Sequence, residues 1–362
     1  EEAFGRGYGE ENDFCMRARA LGWRHVLACD TFVFHVGETS FGKDAPERAN
    51  AWNVLIRRHP DYPAAVARHI EADEAAPSRI AVAAAVFKAV PQPVILLVTH
   101  ALGGGTDRHI ADMMAAVGAG ANFLRLEPGQ GGVRLTVPAF PSLNPIVFDN
   151  EGIAQLAALL TSFGVDRVHV HHLLGLNLDI RRLIDMLGVP FDVTLHDYYM
   201  VCPRIYLLKS HESLTCGEPG PAECNACLAS SADPRPTNIT EWRRSHAWLL
   251  EEAERVLCPS LDLKRRMVRY APHANFVVVP HEPVTSDRWH VRATGLRPQQ
   301  RLRVGILGTV ARHKGRNSIC AAALAVDCAN VEFVIIGSCE PALDRKSTRL
   351  NSSRANISYA VF

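Results

Sequence analysis

The stretch Val94–Met114, VILLVTHALGGGTDRHIADMM, limits what this chain can fold into more than any other. An unbroken apolar run, Val94–Thr99, meets three consecutive glycines, Gly103, Gly104 and Gly105, and then a polar helix start at Thr106 or Asp107. That order spells a buried strand, a tight turn and a helix, the opening of a βα unit. Glycines let backbone amides approach a ligand closely, and the helix start offers unpaired N–H groups and a positive dipole end to an anion. The spacing departs from G-x-G-x-x-G and no P-loop lysine follows. On these residues alone the turn is either a plain corner or a ligand site.

The alternation then continues. Strands are expected over Asn122–Leu126, Val133–Val137, Arg167–Val170, Phe191–Leu195, Arg255–Pro259 and Phe276–Pro280. Helices are expected over Asn150–Phe163, Leu176–Leu187, Glu241–Glu254 and Leu261–Tyr270. Strands spaced by helices of this length predict an α/β fold, a parallel sheet with helices on both faces. Ligands of such sheets gather at the carboxyl ends of the strands. Polar residues repeat at those ends: His100, then His169, His171 and His172, then His196 and Asp197, Ser260 and His281. One such histidine would pass as a structural residue, but a series of them is harder to explain that way.

Composition narrows the function classes. A net charge of +1 over 362 residues argues against a dedicated nucleic-acid binder, which usually shows a concentrated basic face. No apolar run reaches the ~18 residues a membrane span needs; Ile80–Val90 is shorter and holds a lysine. The opening EEAFGRGYGEEND has no initiator Met and no signal-peptide core, and reads as the middle of a domain. The expectation is therefore a chain truncated at its N-terminus, of two or three domains, in a reducing cytoplasm where disulfides are rare.

The glycine turn, the H-D after a central strand (His196-Asp197), the P-S of VLCPS and the V-V-P-H ending at His281 together resemble the N-terminal domain of a family 4 glycosyltransferase of the GT-B fold. The resemblance implies that Gly103, Gly104 and Gly105 lie near the donor diphosphate and the acceptor, and that His196 lies beside the reacting sugar. A second βαβ pattern starts at Leu302–Leu307 and runs through Gly308–Gly315 to a strand at Val331–Ile336. It resembles the start of the family's second Rossmann-like domain. There Lys314 would contact the nucleotide diphosphate as a compact point charge, assisted by Arg312; Thr309 stands where the family often has Arg.

Inside the first half, Cys202, Cys216, Cys224 and Cys227 are spaced C-x13-C-x7-C-x2-C among Pro and Gly. Four thiolates with one C-x2-C knuckle suit tetrahedral zinc, in a structural role because no coordination position stays open. Two disulfides or four separate thiols are the alternatives.

Residues 1–75 carry a different pattern: Glu10-Glu11-Asn12-Asp13, then Phe14-Cys15-Met16-Arg17 in a helix, a strand over His25–Cys29, and His35-Val36-Gly37-Glu38-Thr39-Ser40-Phe41. Acids at a helix start complement its dipole; a carboxylate there is also suited to act as general base on a hydroxyl. The segment resembles the C-terminal end of a family 2, rhamnosyltransferase-like GT-A glycosyltransferase. The resemblance implies Glu11 as base, where the family more often has Asp, with Asp13 nearby and His35 close to a metal-bound diphosphate. The complete GT-A module would hold a divalent metal through an Asp-x-Asp that this chain lacks, so the remnant is expected to be inactive alone.

The expected organisation is a GT-A remnant (1–75), a linker (76–92), the GT-B N-terminal domain (93–290) with its Cys-rich insertion (202–227), and the start of the donor domain (291–344). Residues 345–362, RKSTRLNSSRANISYAVF, resemble translated adapter sequence and are set apart from the fold. The family's E-x7-E donor motif is expected further on, so the fragment is expected to be incomplete. As a whole the chain reads as a glycosyltransferase that uses a nucleotide-sugar donor and a saccharide or lipid-linked acceptor of bacterial surface polysaccharide. It would be cytoplasmic, at most peripheral to the inner face of the plasma membrane, and without nucleic-acid partners. The rivals are an NAD-dependent oxidoreductase, whose glycine spacing is absent, and a zinc-stabilised interaction module, which leaves the strand-end histidines unexplained.

Overall fold

The structure is a computed structural model. It describes residues 2–4, 9–28, 31, 33–34, 46–209, 215–230, 238–281, 302–326, 331–337 and 357–360. His35 and the motif around it lie outside the described residues.

Four helices come first: α1 (Glu10–Ala20), α2 (Pro46–Arg58), α3 (Tyr62–Ala72) and α4 (Ala76–Ala89). The strand expected over His25–Cys29 does not form in its described part; His25–Ala28 is exposed and irregular. The expected linker is a helix with a packing role. α4 buries Ala83, Ala84 and Phe87, and the Phe87 ring meets Phe140 at 6.0 Å and Phe163 edge-on at 5.5 Å. Aromatic pairs of this geometry contribute beyond the area they bury.

The βα series follows: β1 (Val94–Val98), α5 (Gly105–Val117), β2 (Asn122–Gly129), β3 (Gly132–Thr136), β4 (Ile146–Asp149), α6 (Ile153–Phe163), β5 (Val165–Val170), α7 (Ile180–Leu187) and β6 (Phe191–Thr194). It continues through α8 (Pro221–Ala229), α9 (Ile239–Glu251), β7 (Arg255–Cys258), α10 (Leu261–Met267) and β8 (Phe276–Val278). Among the described residues β1 to β8 form one sheet, ordered β4-β3-β2-β1-β5-β6-β7-β8. β5 to β8 pair in parallel. The other edge corrects the expectation of a parallel sheet, since β2, β3 and β4 are antiparallel. Gln130-Gly131 between β2 and β3 leaves room only for a hairpin, which a parallel pair forbids. At Gly132 an added Cβ would meet the Phe148 carbonyl oxygen at 2.0 Å, so only glycine permits this approach.

The burial follows the sequence periods. α6 buries Ile153, Leu156, Ala157, Leu160 and Phe163, a stripe at helical spacing. β6 shows no in–out alternation, because all four of its residues are buried, as a central strand of a sheet covered on both faces requires. Asp192 on β6 and Arg255 on β7 are register partners joined by two hydrogen bonds of 3.0 and 2.8 Å, which settles a carboxylate on a buried strand.

By compactness the chain divides into two units. One comprises Glu1–Leu97, Met114–Arg167 and Gly175–Val189; the other comprises Val98–Met113, Val168–Leu174 and Pro190–Phe362. Within the second, β9 (Leu302–Leu307), α11 (Arg316–Ala325) and β10 (Val331–Ile336) form the expected βαβ start, with Val310 and Ile335 buried against Ile306 and Ile319. The backbone of β11 (Ile357–Ala360), within the segment set apart above, pairs in parallel with β10. An open strand edge accepts any β-competent segment, so this pairing leaves the origin of the tail a separate matter.

Candidate active site at the strand ends

The second unit brings the strand-end histidines into one nest. The first turn after β1 is made by Gly103 at φ 70° and Gly104 at φ 82°, left-handed values that favour glycine. It starts α5, whose first turns carry His109. His171 follows β5, His196 follows β6, and His281 follows β8. The His171 N–H donates to the Val98 carbonyl at 2.8 Å, and the Leu195 N–H donates to that of Leu257 at 2.9 Å, so both histidines are carried on sheet backbone. Their rings meet, with His171 Nδ1 and His196 Nε2 3.1 Å apart. The His109 ring centroid lies 5.2 Å from that of His196 and 4.2 Å from that of His281.

A second layer fixes tautomers. The Leu174 N–H donates to His172 Nδ1 at 2.9 Å, so the ring proton sits on Nε2, which faces Asp197 Oδ2 at 3.1 Å. Asp197 Oδ1 accepts from the Tyr199 N–H at 2.8 Å. The Tyr199 ring lies against His172 and Trp242, and Trp242 Nε1 donates to the Tyr199 carbonyl at 2.7 Å. His169 Nε2 meets Thr194 Oγ1 at 2.7 Å inside the protein. The H-D of the sequence is thus one corner of a built network, and Ser260 is an N-cap, its Oγ accepting from the Leu263 N–H at 3.2 Å.

Burial and neighbouring rings hold His196, His109, His281 and His100 below the ordinary imidazole value. Burial, followed by the neighbouring His109, His281, His172 and His100, lowers His196 from 6.5 to about 3. Burial and then His281 lower His109; burial lowers His281; burial and then His172 lower His100. A neutral imidazole donates from one nitrogen and accepts at the other, which suits sugar hydroxyls. The unfolded chain takes up the His196 proton near pH 6.5 and the folded chain only near 3, so stability falls as pH drops through that window. Denaturant unfolding at pH 4.5 should show about 2–3 kcal/mol less stability from this residue than at pH 7, and His196→Gln should flatten that part of the curve. An unchanged slope in the variant would contradict the assignment.

The other expected site residues lie as follows. The Asp107 carboxylate sits 3.7 Å from where a Gly103 Cβ would be, so the helix start already carries a negative charge. Glu11 is exposed on the first turn of α1. Asp13 is engaged: its side chain is 1% exposed and meets Arg17 at 2.9 Å, His59 at 2.9 Å and Arg58 at 3.4 Å. Burial pushes its carboxyl up, but those hydrogen bonds outweigh burial and hold it below the usual carboxylate range. It ties α1 to the end of α2. Lys314 is exposed; Arg312 Nη2 donates to the Lys209 carbonyl at 3.3 Å, and the His313 ring stacks on Tyr206 at 4.0 Å.

Cys202, Cys216, Cys224 and Cys227 are all free thiols of intermediate exposure. Cys224 and Cys227 lie one turn apart on α8. Burial first, then the other three thiols, raises the Cys202 thiol. The Glu218 N–H donates to Cys216 Sγ at 3.4 Å, and Arg243 Nη2 donates to Cys224 Sγ at 3.7 Å. The donor types suit zinc, but as they stand the four sulfurs are not gathered into a ligand set, which among the described residues only His109, His171 and His196 are, so a zinc ion would have to draw them together. Sequence reasoning passed over His109, Tyr199, Trp242 and Glu218; only His109 had a signal, one turn inside the helix that follows the glycine turn.

The α/β sheet, with ligand-facing carboxyl ends on its parallel strands, is the frame of a glycosyltransferase of the GT-B type, as the family match shows. The sequence matches Glycosyltransferase Family 4 over residues 98–281, just over half of the chain, and the chain belongs to that family. No curated protein matches it. Among solved structures it is similar to the catalytic domain of starch synthase IV from Arabidopsis thaliana bound to ADP and acarbose. The identity is 13% and the TM-score 0.39, with 75% of this chain and 74% of that one covered.

Proposed function

We propose that the chain transfers a glycosyl unit from a nucleotide-diphosphate sugar to a saccharide or lipid-linked acceptor in bacterial surface-polysaccharide assembly. The observation that carries this is His196, neutral and recessed at the end of β6 among other imidazoles, inside the segment that matches the family. In this reading His196 and its neighbours hold the transferred sugar by its hydroxyls, and the reaction retains configuration. Lys314 neutralises the departing diphosphate, with Arg312 beside it; a preorganised positive charge is what a leaving diphosphate requires. Asp107 already complements the α5 dipole, so the amides of Gly103, Gly104 and Gly105 suit the acceptor's hydroxyls better than a second anion.

The Cys loop would hold a structural zinc ion through Cys202, Cys216, Cys224 and Cys227 and shape the acceptor side. Residues 1–75 would derive from a GT-A module in which Glu11 serves as base, with Asp13 as its anchor and His35 toward a metal-bound diphosphate. Among the described residues no helix is long and apolar enough to cross a membrane, in keeping with peripheral attachment at most, at the inner face of the plasma membrane.

Calorimetry with a panel of nucleoside-diphosphate hexoses tests the donor side. Lys314→Ala should weaken the binding of whichever donor is taken by about 10–100-fold, the worth of one hydrogen bond to a charged group, and should reduce its salt dependence. Equal affinity in the variant would remove Lys314 from the donor site.

A further inference from the structure

We propose that His109, His171 and His196 form a binding site for a borderline transition-metal dication of the Zn²⁺ or Co²⁺ class. One ring nitrogen from each of the three lies within 4.8 Å of the others, and among the described residues this is the set of side chains so arranged. The site is distinct from the four cysteines.

The distances fit coordination. With Zn–N bonds of about 2.0–2.1 Å, the edge of a tetrahedron is about 3.3–3.4 Å. His171 Nδ1 and His196 Nε2 stand 3.1 Å apart, close to that edge, so a cation replaces the shared proton once each ring pivots to aim its lone pair at it. The displaced proton passes to the far nitrogen of its own imidazole, so a neutral ring becomes a ligand without net loss of a proton. His109 approaches from α5, its ring centroid 5.7 Å from that of His171 and 5.2 Å from that of His196.

The ligands are also carried on fixed elements. His171 is 1% exposed and held through its backbone to Val98, and its ring is stacked on His169 at 4.2 Å. Ligand geometry set by sheet and helix backbone is more exact than geometry set by loops. Three nitrogens leave at least one position open, and the His281 ring packs against His109 at 4.2 Å. An all-imidazole set prefers zinc, cobalt or nickel; magnesium and calcium take oxygen ligands.

Cobalt(II) is the probe, because its spectrum separates the two candidate sites. Thiolate ligation adds intense sulfur-to-metal charge transfer, whereas imidazole ligation gives d–d bands alone. The full chain is titrated in reduced form, together with a Cys224→Ser/Cys227→Ser variant that disables the thiol loop. The expected result is a cobalt equivalent in that variant with d–d bands and no charge transfer. Adding His109→Asn should weaken it by at least the roughly 10–100-fold that losing a mere supporting partner costs, with Mg²⁺ failing to compete. X-ray absorption of the cobalt-loaded cysteine variant should show imidazole scattering and no sulfur, a readout that does not depend on the histidine variant folding. Cobalt binding that disappears with the cysteines, equal affinity after His109→Asn in a folded protein, or an absorption edge without imidazole scattering would each overturn the proposal.

Discussion

Replacing His196 with alanine should lower the rate of glycosyl transfer by about 10²–10³-fold, the effect of deleting one preorganised polar partner of a reacting centre. The residue sits where the geometry is least forgiving. It is carried by β6, whose four residues are all buried, and its Nε2 is 3.1 Å from His171 Nδ1. Burial and the neighbouring histidines lower it to about 3, so it is neutral near pH 7. The loss should therefore be flat between about pH 6 and 8, because no protonation of His196 intervenes there. A transfer rate that collapsed with a midpoint near the ordinary histidine value of about 6.5 in the unmodified chain, and no longer did so in the variant, would show a charged His196 and a different chemistry. His196→Gln, which keeps an amide donor and acceptor, should recover part of the rate. Equal rates for alanine and wild type would remove His196 from the reacting centre.

The second large effect concerns the Cys loop. Glu218→Ala should destabilise the protein by about 2–4 kcal/mol, toward the lower part of the range for breaking a buried ion pair. Its side chain is 2% exposed and is shared among Arg266, Arg269 at 2.5 Å and the Tyr270 hydroxyl at 3.0 Å. Burial pushes the Glu218 carboxyl up, but these partners outweigh it and keep the group ionised. Burial, then the hydrogen bond to Glu218, raises Tyr270 to about 12. The two arginines are partly exposed, which reduces the cost of stranding them and sets the range below that of a fully buried pair. Glu218→Ala keeps the backbone N–H that donates to Cys216 Sγ, but releasing the side-chain anchor loosens that part of the loop, so the loop thiols should react faster with a thiol reagent. A stability change below about 1 kcal/mol, the worth of a surface pair, would mean that the loop is not anchored through Glu218.

How far the sequence told this in advance follows from the kind of interaction. Elements set by local period were legible: β9 and β10 fall on Leu302–Leu307 and Val331–Ile336 as the apolar runs predict, and α6 ends at Phe163 before Gly164 as expected. The strand-end histidines were legible because an α/β sheet sends the carboxyl ends of its parallel strands to one side. β4 was not, since Ile146–Asp149 is short and its strand character comes from pairing with β3. His25–Cys29 misled in the opposite sense: Val26 and Leu27 carry strand propensity, yet both are exposed, and propensity without a neighbouring strand forms no sheet.

The site shows the same division. His196 and Asp197 were visible as a dipeptide at a strand end. The Tyr199–Trp242 support was not, because it joins residues 43 positions apart and no local pattern announces it. Asp13 was visible as an acid at a helix start, but its partners His59 and Arg58 arrive from the end of α2, and they make it an anchor between the two helices. Glu11, close to it in sequence, is exposed.

The most direct test of the central claim, that the histidine nest receives the donor sugar, is long-range ¹H–¹⁵N correlation of the imidazole rings during titration with nucleoside-diphosphate hexoses. One donor should shift the ring nitrogens of His196 and His109 saturably while both stay neutral, and its sugar-free nucleoside diphosphate should leave them nearly unmoved. A donor that saturates the protein without disturbing either ring would place the sugar elsewhere and contradict the account.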